Sequence, residues 1–183
     1  TQGDLKALTA ADIIVYNGLH LEGKMGEIFE KLQKTKIVIA AGEGIPSTDL
    51  IQSSGFQGNY DPHLWFDVSL WSDAISYITK ELNKSNLFDS TTLNDNLNYY
   101  KTQLDSLNTA TYNQISSINE QQRVLITAHD AFSYFGRAYG IEVKGLQGIS
   151  TLSEYGLKDI SEMVNFINEN KIKAVFVESS VSD

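Results

Sequence analysis

From Ser90 to Asn119 the chain contains neither glycine nor proline, and this uninterrupted run constrains the fold more than any other feature. Within it Leu93, Leu97, Tyr100, Leu104, Leu107, Thr111, Gln114 and Ile118 step by alternating fours and threes, with two polar slips. That spacing predicts one helical face sustained over about 90–119. At about 1.5 Å per residue the helix is roughly 43 Å long, as long as a domain is wide. Two architectures can use such an element: a coiled-coil seam between two chains, or a rigid strut joining two lobes of one chain. The segments on either side favour the strut.

Those segments alternate between two periodicities. Before the run, Asp4 to Leu8 reads as a short helical turn, and Ile13-Ile14-Val15-Tyr16 as a strand ended by Asn17-Gly18. Met25, Ile28, Phe29 and Leu32 mark an amphipathic helix over about 24–34, and Ile37-Val38-Ile39-Ala40 is a β-branched run of the buried parallel type. Residues 42–60 are rich in turn formers and read as a loop. After the run, strands are predicted at 124–126, 141–143 and 174–177. Helices are predicted at 131–139 and along Leu157, Ile160, Met163, Val164 and Ile167. Strands alternating with helices predict parallel sheets. The fold class is therefore α/β, two lobes with parallel sheets joined by one long rigid backbone helix. The expected boundaries are a lobe over 1–89, the linking helix over 90–119 and a second lobe over 120–183. The opening Thr-Gln-Gly-Asp has no initiator methionine and the chain stops soon after a strand, so a piece of a longer protein with both lobes incomplete is expected.

Composition then removes several function classes. With 14 Lys and Arg against 23 Asp and Glu, the formal charge of -9 repels phosphate backbones, so nucleic acid is not an expected partner. No apolar run reaches the eighteen or so residues of a membrane span. Cysteine is absent, which excludes disulfides, thiolate catalysis and Cys-based zinc sites. A metal would have to be held by His, Asp and Glu, and there are three histidines.

His63 lies in Asp-Pro-His-Leu-Trp-Phe-Asp, residues 61–67. Pro62 biases Asp61 away from helix, so the segment is extended, and the carboxylates Asp61 and Asp67 flank the imidazole closely enough to orient it. His129 follows the buried run Val124 to Ala128 and stands at the carboxyl end of a strand, where open parallel sheets bind ligands. Glu178 ends the last predicted strand and Glu43 follows the second; each is a candidate to line a site or a solvated strand end. Asp130 adjoins His129. His20, in a polar glycine-flanked turn, reads as a surface residue. Other constellations fail on context. His129-Asp130 with distant His63 is superficially similar to a metal phosphohydrolase signature, but those sites stand on helical bundles. Ser133, His129 and Asp130 are too close in sequence for triad geometry. The glycines of residues 145–150 have the wrong spacing to cradle phosphate.

Four blocks taken together resemble a known family: residues 17–23 (NGLHLEG), 61–67 (DPHLWFD), 127–150 (TAHDAFSYFGRAYGIEVKGLQGIS) and 176–182 (FVESSVS). Their order around the long helix is similar to that of the TroA-like metal-binding solute receptors of bacterial ABC importers, some of which are also described as lipoprotein adhesins. The resemblance implies two α/β lobes bridged by a rigid helix, with a divalent transition metal in the cleft between them. It implies that His63 and His129 are two of four metal ligands, the other two lying outside this chain. Asp61, Asp130, Glu178 and Glu43 are then cleft-lining or supporting residues. Three imidazoles and a carboxylate would suit zinc, with manganese or iron(II) as the alternative. It further implies a monomeric, extracytoplasmic receptor, periplasmic or lipid-anchored, that delivers its ion to an ABC permease and catalyses nothing. A metal-dependent hydrolase using the same histidines is the competing reading; it would need an open coordination position and a general base.

Overall fold

A computed structural model describes residues 2–53, 59–147 and 156–176. The chain divides into two compact units, Thr1–Leu50 with Val68–Asp105, and Ile51–Asp67 with Ser106–Asp183.

The first unit begins with α1 (Gln2–Ala10), β1 (Ile13–Tyr16), α2 (Gly26–Leu32) and β2 (Ile37–Ala40). β1 and β2 pair in parallel, with Ile13 opposite Ile37 and Tyr16 opposite Ala40. Ile14, Ile39 and Ala40 are buried with Phe29 of α2, whose ring lies 4.4 Å from that of Tyr16. The turn after β1 is held by Glu22, whose carboxylate accepts from the N–H groups of Asn17 at 2.7 Å and Gly18 at 3.2 Å. Leu19 and His20 adopt positive φ there, and His20 is exposed. After β2 a 3-10 turn, Ala41–Gly44, packs on α3 (Val68–Lys84). Leu70 and Ala74 provide the buried face of α3, together with the small polar residues Ser72 and Thr79.

The long helix is present as α4 (Ser90–Ser116), 27 residues. Asp89 caps it, accepting from the backbone N–H of Thr92 at 2.8 Å and from its hydroxyl at 2.7 Å. These bonds hold the Asp89 carboxyl below its ordinary pKa. The boundary between the compact units falls inside this helix, at Asp105. The inward face differs from the expected seam. Leu104 is buried and Leu93 and Leu97 are half-buried as predicted, but Tyr100 and Leu107 are exposed while Lys101, Asn108 and Ile115 are half-buried in their stead. A straight helix of 3.6 residues per turn drifts away from a strict 3.5-residue repeat, and this one follows its neighbours rather than the apolar pattern.

The second unit carries β3 (Val124–His129), α5 (Ser133–Tyr139), β4 (Glu142–Gln147) and α6 (Leu157–Glu169). β3 and β4 are parallel, Val124 opposite Glu142 and His129 opposite Gln147. Of the last predicted strand, Phe176 makes a parallel bridge with Thr127, its N–H donating to the Ile126 carbonyl at 2.9 Å. Val177 lies outside the described residues. β4 runs on to Gln147, well past the predicted end at Val143. Gly145 permits this: a β-carbon there would lie 2.7 Å from the backbone nitrogen and α-carbon of Asp130, so only glycine lets the strand pass that close.

Residues 51–67 belong with this second unit, whereas the sequence boundaries put them in the first. The physical reason is a buried tyrosine. The Tyr134 hydroxyl accepts from the Ile51 N–H at 3.1 Å and donates to the Asp61 carbonyl at 2.9 Å. The Phe66 ring lies 4.4 Å from that of Phe132, and Asp67 faces Arg137 at 3.7 Å. No helix among the described residues is long and apolar enough to cross a membrane.

Candidate metal centre

Both candidate histidines stand in the second unit, and their rings come together. His63 lies just before the 3-10 turn Leu64–Phe66, its side chain 9 % exposed. Asp61 is wholly buried, and its Oδ1 accepts twice from the same residue, from the His63 backbone N–H at 2.9 Å and from ring Nδ1 at 2.7 Å. This is an Asx-type turn, closed by the Asp61 side chain accepting from the backbone N–H two residues on. A carboxylate opposite Nδ1 places the ring proton on that nitrogen and leaves the Nε2 lone pair for a ligand.

His129 ends β3, where the turn is fixed by two donors to its carbonyl: the Thr127 hydroxyl at 2.8 Å and the Ala131 N–H at 3.1 Å. The His63 and His129 ring centroids are 5.7 Å apart with an interplanar angle of 63°, and Trp65 packs its edge on His63 at 5.2 Å. Zn–N bonds of ~2.0–2.1 Å put two imidazole centroids roughly 5–6.5 Å apart across one ion, so the observed spacing fits a shared cation. Among the described residues the other Asp61 oxygen, Oδ2, is buried with no hydrogen-bond partner. A buried carboxylate oxygen without a partner is costly unless a positive charge offsets it.

Asp130 completes the local charge. Burial raises its carboxyl pKa, and the negative charge of Asp61 adds to this; the Ser133 hydroxyl, bonded at 3.2 Å, and the two histidines oppose it. Of the remaining candidates, Glu43 lies in the first unit and accepts from the Tyr77 hydroxyl at 3.0 Å. Glu178 lies outside the described residues. Among the described residues, no group of three or more His, Asp and Glu is placed to hold a metal ion. Sequence reasoning missed Tyr134, the residue joining the His63 segment to the helix after His129. The aromatic cluster Phe132-Ser133-Tyr134-Phe135 directly after a strand end was the available signal.

Residues 1–183 match the family described as zinc-uptake complex component A, periplasmic. The chain belongs to this family. Among relatives of the zinc-uptake component A family, it is 46 % identical over 183 residues to the manganese-binding lipoprotein MntA of Bacillus subtilis, covering 100 % of this chain and 60 % of MntA. It is 44 % identical over 181 residues to the zinc-binding protein TroA of Treponema pallidum, covering 99 % of this chain and 58 % of TroA. With a manganese ABC transporter substrate-binding lipoprotein, PsaA of Streptococcus mitis, identity is 30 % over 186 residues, 98 % of this chain and 60 % of PsaA. The solved structure of T. pallidum TroA superposes with a TM-score of 0.91 at 44 % identity, covering 100 % of this chain and 65 % of that one. The chain thus spans about three fifths of the length of the curated relatives it matches. These relatives are named as binding proteins, and the hydrolase reading finds no support among them.

Proposed function

We propose that this chain forms part of an extracytoplasmic receptor that captures a divalent transition-metal ion, the ion being cargo rather than cofactor. In this reading His63 and His129 ligate through their imidazoles. Asp61 fixes the His63 tautomer, while Asp130 and the second Asp61 oxygen supply negative potential nearby. The observation that carries the reading is the imidazole pair at 5.7 Å with a buried carboxylate on one ring. Zinc is favoured over manganese because paired nitrogen donors suit zinc better than an ion that prefers carboxylate and water. Delivery to an ABC permease, from the periplasm or from a lipid anchor, is part of this proposal and is supported by kinship with lipoproteins of that transporter class. Glu43 and Glu178 remain supporting candidates within the same proposal.

Two measurements test it. Metal analysis of the protein purified from its own host is expected to find zinc in excess of manganese. In zinc titrations, His63→Ala and His129→Ala are expected to weaken binding far more than His20→Ala, whose side chain is exposed in the turn after β1. Equal effects at all three positions would overturn the ligand assignment.

A further inference from the structure

The segment that carries His63 is closed at its neck by three hydrogen bonds. The Asp61 N–H donates to the Ile51 carbonyl at 2.8 Å, the Ile51 N–H donates to the Tyr134 hydroxyl at 3.1 Å, and that hydroxyl donates to the Asp61 carbonyl at 2.9 Å. Tyr134 is wholly buried, which shields its hydroxyl from solvent. Beyond the neck, Ser53 N–H donates to the Asn59 carbonyl and Gln52 bridges Tyr60, which keeps the two sides of the segment paired. Asp61 is therefore held at its N–H and at its carbonyl, and its carboxylate in turn holds His63. Tyr134 itself lies in α5, which follows the turn that sets His129.

We infer that Tyr134 is a positioning residue for the metal site, its hydroxyl locking Asp61 and through it the Nδ1–H tautomer and ring orientation of His63. The inference rests on the reading of His63 as a ligand. Chains of buried hydrogen bonds reinforce one another, so loss of the hydroxyl leaves both the Ile51 N–H and the Asp61 carbonyl to find new partners. Groups that orient a ligating histidine are worth about 10–100-fold in metal affinity, a range that fits a residue acting through Asp61.

The test is Tyr134→Phe in the full chain, beside Tyr139→Phe. Tyr139 is another buried tyrosine of α5, and its hydroxyl donates to Asn108 at 2.8 Å, away from the His63 segment. Zinc affinity is expected to fall about 10-fold or more in the Tyr134 variant and to stay within about twofold in the Tyr139 variant. Long-range ¹H–¹⁵N spectra of the metal-free proteins are expected to show His63 as the Nδ1–H tautomer in the parent and a mixture in Tyr134→Phe. A loss of affinity with the tautomer unchanged, or one matched by Tyr139→Phe, reduces Tyr134 to general stability and overturns the inference.

If Tyr134→Phe does not fold, the parent protein decides the matter, because coupling between sites is reciprocal. Zinc is expected to slow amide exchange at Ile51 more than at Glu142, whose N–H donates to the Arg123 carbonyl elsewhere in the same unit. Equal slowing overturns the inference. His63→Ala separates the two levels. If it leaves zinc binding intact, the ligand reading fails and takes this inference with it. If it abolishes binding while Tyr134→Phe does not weaken it, only the inference fails.

Discussion

Asp61 does two things to His63 that different substitutions separate. It accepts from the ring and the backbone through one oxygen, and it places a negative charge beside the imidazole pair through the other. Asp61→Asn keeps an accepting oxygen and removes the charge, whereas Asp61→Ala removes both. Zinc affinity, read by competition with a chelator, is expected to fall in the order parent, Asn, Ala, with the Ala variant about 10–100-fold weaker than the parent; an Asp61→Ala protein that binds like the parent contradicts the role. A second residue gives a pH signature. Burial, the hydrogen bond to Glu43 and that carboxylate's charge push the Tyr77 phenol up to about 12 from 10. Its folded pKa lies above its unfolded one, so its contribution is present in full below about pH 10 and is lost as pH rises toward 12. The stability difference between the parent and Tyr77→Phe, from urea unfolding, is expected to shift in favour of the variant across that window. A constant difference would show that the phenol titrates normally. Asp61 and His63 were legible because they are two residues apart in a proline-stiffened segment. Tyr134 was not, because its partner Asp61 is 73 residues away and no local pattern marks the pairing.

At the scale of elements, α4 shows what periodicity reads and what it cannot. The absence of glycine and proline gave the helix to within three residues of its end, but apolar spacing placed Leu104 and Leu107 on one seam. In the fold Leu104 is 6 % exposed and Leu107 is 52 % exposed. Leu104→Ala is therefore expected to cost about 2–5 kcal/mol, and Leu107→Ala no more than about 0.5 kcal/mol, in chemical denaturation. Similar costs would restore the seam of the sequence pattern. The exposed alternation of Tyr and Leu on this helix misled the reading because burial depends on neighbours distant in sequence. β4 departs in the other direction: it runs on through Gly145, which serves close approach to the Asp130 backbone. Gly145→Ala must displace the turn that carries His129 and Asp130. A destabilisation of about 1–3 kcal/mol is expected, with weakened zinc binding alongside it. Unchanged binding at reduced stability would mean the turn is held independently of β4.

For the molecule as a whole, alternation of strands and helices was enough to predict parallel pairing, and both sheets show it. The membership of residues 51–67 was not legible, since chain order puts them before α3 and α4 while hydrogen bonds from Tyr134 tie them to the unit that follows. That tie determines what the metal reading demands. Both imidazoles come from one compact unit, and among the described residues no third carboxylate or imidazole joins them in a metal-holding group. A closed zinc shell takes four protein donors, and each absent donor removes a bond together with part of the preorganisation. The 183-residue chain is accordingly expected to bind zinc at least ~100-fold more weakly than TroA of T. pallidum, measured by titration calorimetry in one buffer, more than the loss of one supporting contact would explain. The enthalpy should carry the signature of two imidazoles and disappear in the His63→Ala, His129→Ala double variant. Affinity equal to TroA would mean that this chain supplies a full shell, and Asp130, Glu43 and Glu178 would be the residues to substitute next.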